Sequence, residues 1–355
     1  MKTVLLTLAT LVAIGLLYLL FWPTPVAPSA WEAPPNPGFT GRFAQNDRLA
    51  KVDLLHLSCH ECEDVAIDAQ GRVYGGTVDG RILRYAAPGA AAEVLANTQG
   101  WPLGLDFDTS GNLYIADAYQ GLLRLTPTGQ LETLSTEYQG DPYGFTDDLE
   151  VGPDGRVYFS DASNKWPVAV YKFDILEHCA AGRLLVYDPV SQTVELLADG
   201  LYFANGIAVA ADTSFVLVNE TSNYRVLKYW LTGAQKGTTE ILIDNLPAFP
   251  DGISRGSDGI FWLALVSPRN PLLDKWSAQP FLRKLIARLP SWLQPAPEKY
   301  GAVLGLNSQG EVVYNLQDPA GKYEQVTSVQ QWGNDLYLGS LGRDGVGWLK
   351  NFRQQ

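Results

Sequence analysis

The chain has 355 residues, 26 basic and 38 acidic side chains and a net charge of −12, and 46% of it is hydrophobic. That apolar content can build a large core and excludes disorder over most of the length. The acidic balance argues for no nucleic acid partner, since a phosphate backbone needs a basic face. Three cysteines are too few for a disulfide scaffold. Ten Trp, 17 Tyr and 34 Gly beside one Met point to β-structure with many turns.

The first element is an apolar run from Val4 to Trp22, preceded by Lys2 and free of charge until Glu32. As a helix it spans about 28 Å, close to the thickness of a bilayer core. It exceeds the usual ~7–15-residue core of a signal peptide. Residues 1–22 are therefore read as a membrane anchor, with a cleaved signal as the alternative. Either places the body on the extracytoplasmic side, and the lone Lys2 before the anchor agrees. Residues 23–44 follow as a Pro-rich segment, expected to act as a stiff, extended linker. The body is 45–355.

The body repeats one pattern six times: small or polar residues, an apolar strand, a D-x-x-G type of turn, and a second strand. The copies start at 63, 103, 147, 205, 251 and 327, with spacings of 40, 44, 58, 46 and 76. Units of this length with paired short strands predict an all-β fold, a six-bladed β-propeller. A two-sheet sandwich does not account for six similar units. Four copies continue into a third strand, among them Arg81 to Tyr85 and Gly182 to Tyr187. The two long spacings imply insertions at roughly 162–181 and 266–300. Val52 to Leu57 is expected to add a strand to the last blade and hide its edge.

In a propeller the first residue of each innermost strand lies at one mouth of the central channel. Those residues are Glu63, Leu103, Asp147, Asn205, Asp251 and Thr327. Three carboxylates and an amide converge with no Lys or Arg. Such carboxylates repel and have raised pKa values unless a cation neutralises them. The oxygen donors suit Ca2+, and the lack of Cys or His argues against zinc. The bland reading makes them strand-start residues that cap turns.

Several stretches resemble the strictosidine synthase-like family of six-bladed propellers, in its adipocyte plasma membrane-associated protein-like branch. They include Ala116-Asp117-Ala118-Tyr119-Gln120-Gly121-Leu122, Tyr158-Phe159-Ser160-Asp161, Asn205-Gly206, Phe215-Val216-Leu217-Val218-Asn219-Glu220-Thr221 and Pro250-Asp251-Gly252-Ile253. The wider superfamily holds gluconolactonases, paraoxonases, diisopropyl fluorophosphatases and senescence marker protein. In its hydrolytic members a channel Ca2+ is held by a Glu, two Asn and an Asp. Carried over by position, the metal ligands are Glu63, Asp147, Asn205 and Asp251, with Asp147 where the family usually has Asn. Asp64 resembles the second member of the Glu-Asp pair of paraoxonases.

Two departures bear on the chemistry. Leu103 stands where paraoxonases place a catalytic His. Thr327 stands where true strictosidine synthases place a Glu, although Glu324 is close by. The resemblance therefore implies a Ca2+-dependent hydrolase of lactones or aryl esters, with the metal polarising the scissile carbonyl. Asp251 is the first candidate for base or nucleophile and Asp148 the next. Strand alternation should send Asp147 and Asp148 to different places. The alternatives are a non-enzymatic, Ca2+-stabilised binding propeller and an amine–aldehyde condensing enzyme of the synthase type.

Cys59 and Cys62 form a C-x-x-C that fits reduced thiols, a disulfide, or a zinc site completed by His178 and Cys179. His56, His60 and His178 are expected to be structural or exposed, and Glu220 is either structural or catalytic. Phe281 to Pro290 reads as a basic amphipathic helix. It would be a lid over the channel that also touches lipid headgroups, or a helix simply packed on the propeller.

Overall fold

The computed structural model describes residues 1–55, 59–87 and 90–354. Six four-stranded antiparallel sheets form the body. Their innermost strands are Val65–Ile67, Pro102–Phe107, Thr146–Val151, Ala204–Val209, Ala248–Arg255 and Val326–Trp332. These starts lie within three residues of the repeat positions. The expected six-bladed propeller is the observed fold. The turn after the first strand shows why the repeat carries Asp and Gly. Asp68 Oδ1 accepts from Gln70 N and Arg72 N, and Gly71 takes φ 75°, a left-handed value that favours glycine.

The core lies between blades. Ala66, Tyr74 and Ile82 of the first blade pack on Leu105, Leu113 and Ile115 of the second. Equivalent clusters continue round the molecule to one that joins Tyr337 and Val346 to Val65, Val73 and Leu83. The ring is closed by the strand Asp53–Leu54, which pairs with Gly347–Leu349 (Asp53 opposite Trp348). The expected closing strand is thus present over two residues. Its continuation through His56 and Leu57 lies outside the described residues.

Helix α1 (Lys2–Phe21) has no buried residue and is long and apolar enough to cross a membrane. The Pro-rich segment after it is not the extended spacer that composition suggests. It is strapped onto the body. Val26 is buried, Ser29 N donates to Glu177 O at 2.9 Å, and the Trp31 ring stacks on His178 with centroids 4.0 Å apart. Pro34 O accepts from Arg269 Nη2 at 2.6 Å. Proline-rich chain has few N–H groups of its own, so its carbonyls are free to take donors from the body.

Both insertions follow the second strand of a blade, Val157–Asp161 in the third and Phe261–Pro268 in the fifth. Antiparallel pairing puts the end of that strand beside the start of the innermost one. Both insertions therefore emerge at the mouth where Glu63, Asp147, Asn205 and Asp251 sit. The first carries helix α2 (Lys172–Glu177), and the second carries α3 (Pro271–Lys275) and α4 (Pro280–Arg288). Leu176 of α2 and Ile286 of α4 share an apolar cluster with Val26 and Trp166. Buried Arg283 donates to Ser29 O and Ser277 O. The helices thus form a roof over one face, as expected for a short helical insertion.

Candidate functional site

Five of the six innermost strands begin with a break in register, for example between Thr146 and Leu149, Ala204 and Ile207, and Pro250 and Ile253. Such bulges add a residue to one strand and re-aim its side chains. The residues carried by these three breaks are Asp147-Asp148, Asn205-Gly206 and Asp251-Gly252. The glycines are obligatory for a packing reason. A Cβ on Gly206 would lie 2.4 Å from Asp251 O and Ile253 N, and one on Gly252 would lie 2.5 Å from Thr327 O.

A cavity of about 180 Å³ opens at this mouth. Glu63, Asp147, Asn205 and Asp251 all line it and all are buried. Burial, then repulsion from Asp251 and Asp147, pushes the Glu63 carboxyl well above its usual range. Asp147 is raised by burial and then by Asp251. Burial raises Asp251 to about 7, against a bond from Asn205 that lowers it. Two of these positions are also fixed through the backbone at or beside them. Glu63 O accepts from Thr327 Oγ1, Asp251 O accepts from Asn219 Nδ2, and Pro250 O accepts from Thr221 Oγ1.

Asn205 Nδ2 donates to Asp251 Oδ1 at 2.5 Å, which leaves Asn205 Oδ1 buried with no partner. A buried amide oxygen without a donor is costly. Asn205 shares the cavity with three carboxylates that repel one another. Hard oxygen donors with uncompensated charge are what a divalent cation of the calcium type accepts. Among the described residues no three Asp, Glu, His or Cys side chains are already drawn into a cage. The unpartnered amide oxygen of Asn205 would supply the fourth donor. The residues fit the group.

Asp148 does not join this cluster. It lines a second cavity of about 100 Å³ with Asp64, Asp106, Glu150 and Arg255. There its Oδ2 accepts from Ile207 N at 2.8 Å on the next blade. Asp64, Asp106 and Glu150 likewise accept from Leu105 N, Val151 N and Val209 N. These carboxylates staple neighbouring blades. As a candidate base Asp148 points the wrong way, because the bulge splits it from Asp147.

The other singled-out residues lie elsewhere. Leu103 is an apolar wall of the first cavity. Glu324 faces Lys299 at 3.5 Å and Arg343 at 4.0 Å, and is not among the cavity's lining residues. Glu220 accepts from Tyr202 N and pairs with Arg225, a structural role. Cys59 and Cys62 form a disulfide, whereas Cys179 donates to Asp174 Oδ2, so no zinc set assembles. His60 is exposed beside Asp344, His178 is buried between Trp31 and Tyr202, and His56 lies outside the described residues. Trp101, Phe145, Tyr171 and Phe203 make much of the apolar wall, and Trp101 Nε1 is buried without a partner. Trp101, Phe145 and Phe203 each directly precede an innermost strand, whereas no repeat or spacing in the sequence marks Tyr171.

An apolar pocket ending in buried oxygen donors at a propeller mouth is the layout of a small-molecule site. Residues 147–234 match the strictosidine synthase family, and residues 41–85 match its strictosidine synthase-like N-terminal family. The adipocyte plasma membrane-associated protein of Danio rerio is 33% identical over 364 residues, covering 96% of this chain and 88% of that protein. The strictosidine synthase-like 13 protein of Arabidopsis thaliana is 35% identical, covering 79% of this chain and 77% of its own length. A solved gluconolactonase from Xanthomonas campestris superposes with a TM-score of 0.62 at 17% identity, covering 92% of this chain and 97% of that one. The chain belongs to the strictosidine synthase-like family.

Proposed function

We propose that the protein is a hydrolase of lactones or aryl esters that works with Ca2+ at Glu63, Asp147, Asn205 and Asp251. The observation that carries this is that three buried carboxylates and Asn205, whose amide oxygen has no partner, line one apolar pocket together. The gluconolactonase fold and a solved calcium-binding regucalcin of Agrobacterium tumefaciens, with a TM-score of 0.59 at 17% identity, support the same reading. When bound, the cation would polarise the scissile carbonyl and stabilise the developing oxyanion. The apolar walls would orient the substrate and exclude bulk water. Asp251, which lines the pocket, would accept a proton from the attacking water. Helix α1 would anchor the body to a membrane, on the extracytoplasmic side.

A binding propeller without catalysis is the second reading, favoured by Leu103 where a His base would stand. Assaying the full chain in detergent on phenyl acetate and γ-butyrolactone, with Ca2+ and with EDTA, separates the two. Turnover abolished by EDTA and restored by Ca2+ is the expected result. Calcium-dependent melting with no turnover would transfer the protein to the binding class.

A further inference from the structure

A helix of 20 residues is about 30 Å long, so if α1 spans a bilayer its C-terminal end marks the headgroup level on the body side. Tyr18 and Trp22 lie at that end with ring centroids 5.6 Å apart, as interfacial aromatics do. Helix α4 is tied to this level. Arg288 Nε donates to Trp22 O at 2.7 Å and Nη1 to Leu19 O at 2.9 Å, while Tyr18 Oη donates to Arg288 O at 3.2 Å. A cation there satisfies the orphan carbonyls of the helix end. The strapped segment between α1 and the body removes the slack that would let the roof drift away.

The exposed face of the roof is apolar where it need not be. Phe281 is 53% exposed, Trp292 78% and Leu293 50%. The same segment is the cavity rim: Ile286 of α4 lines it, and so do Gln294 to Pro297, directly after Trp292 and Leu293. Membrane contact and pocket entrance are therefore one piece of chain. We propose that the cavity mouth is seated in the bilayer surface and takes its substrate from the lipid. The substrate class is an ester or lactone with a long acyl chain, whose tail stays among apolar walls and lipid while its carbonyl reaches the carboxylate cluster. This rests on the hydrolase reading for its chemistry. The seating itself rests on the contacts between α1 and α4.

The test uses the full chain in vesicles of phosphatidylcholine and phosphatidylserine. A nitroxide is placed through Trp292→Cys in a Cys179→Ala background, and its collisions with oxygen and with an aqueous nickel chelate are compared. In parallel, hydrolysis of γ-dodecalactone and γ-butyrolactone is compared between wild type and Phe281→Ala/Trp292→Ala. A label below the phosphates, with roughly tenfold loss on the long lactone alone in the variant, is expected. A label in water, or equal effects on both lactones, overturns the proposal. An inserted label with no hydrolysis of phenyl acetate or either lactone refutes the hydrolase and the substrate class, and leaves the seated mouth standing.

Discussion

Asp251 shares its pocket with Glu63, Asp147 and Asn205, which come from three different blades. No blade by itself could gather them, and Glu63 and Asp251 are held through their backbone oxygens by Thr327 and Asn219 of neighbouring blades. Asp251 is the member asked to do two things, to ligate and to accept a proton. Asp251→Ala should abolish hydrolysis of phenyl acetate, by at least about 100-fold, since general-base catalysis contributes 10²–10⁴-fold. Its melting temperature in EDTA should hold or rise, because the change removes a charge that repels Glu63 and Asp147. Lost turnover with a collapsed melting temperature would instead mark Asp251 as structural.

At the scale of the element, the bulge is the device that matters. It lets one strand send Asp147 to the upper cavity and Asp148 to the lower, and it forces the next blade so close that only glycine fits at 206 and 252. Gly206→Ala should cost about 1–3 kcal/mol, the usual range for overpacking, and should displace Asp251 through its backbone oxygen. Urea unfolding with the Ca2+ affinity measured alongside would check both. The blades were legible because strand alternation and the Asp–Gly turns are local signals. Ring closure by Asp53–Leu54 was legible from an apolar run before the first copy. The strapping of residues 23–35 was not, since composition reports stiffness and the docking depends on Arg269, Glu177 and His178, far away in sequence. The hairpin of Glu137–Tyr138 with Asp141–Pro142, with Asp141 paired to Arg183 at 2.7 Å, has no periodic signal either. Of the candidate site, the four oxygen donors could be found by counting strand starts. The aromatic walls were legible only in part: Trp101, Phe145 and Phe203 each stand just before an innermost strand, but Tyr171 comes from an irregular insertion.

Across the whole molecule, the channel carries two acidic layers, with Lys172 lining the upper cavity and Arg255 at the lower one, bonded to Glu150 at 3.0 Å. Burial raises Asp64 and Asp251 to about 7 and Glu150 to about 8, from ordinary values of 3.8 and 4.5. Near neutral pH the folded chain therefore keeps protons that the unfolded chain has released. Stability from these groups is full below the ordinary carboxylate range and drains as pH rises through 7 and 8. His178, lowered by burial to about 3, acts in the opposite sense, and its contribution is complete above 6.5. In EDTA the melting temperature should thus fall between pH 6.5 and 8.5. In Ca2+ the fall should flatten or reverse, since ligation needs the deprotonated carboxylates. A falling melting temperature of the same slope in both conditions would mean that the carboxylates are not neutralised by the metal.

The most direct test of the cation site is a sign. Asp147→Asn keeps the size and an oxygen donor but removes one of three mutually repelling charges. Wild type and variant would be melted side by side at pH 8, once in EDTA and once in millimolar Ca2+. The variant should melt higher in EDTA, where the repulsion goes unanswered, and lower in Ca2+, where the third carboxylate strengthens binding. The same order in both conditions would contradict a cation held by Glu63, Asp147, Asn205 and Asp251.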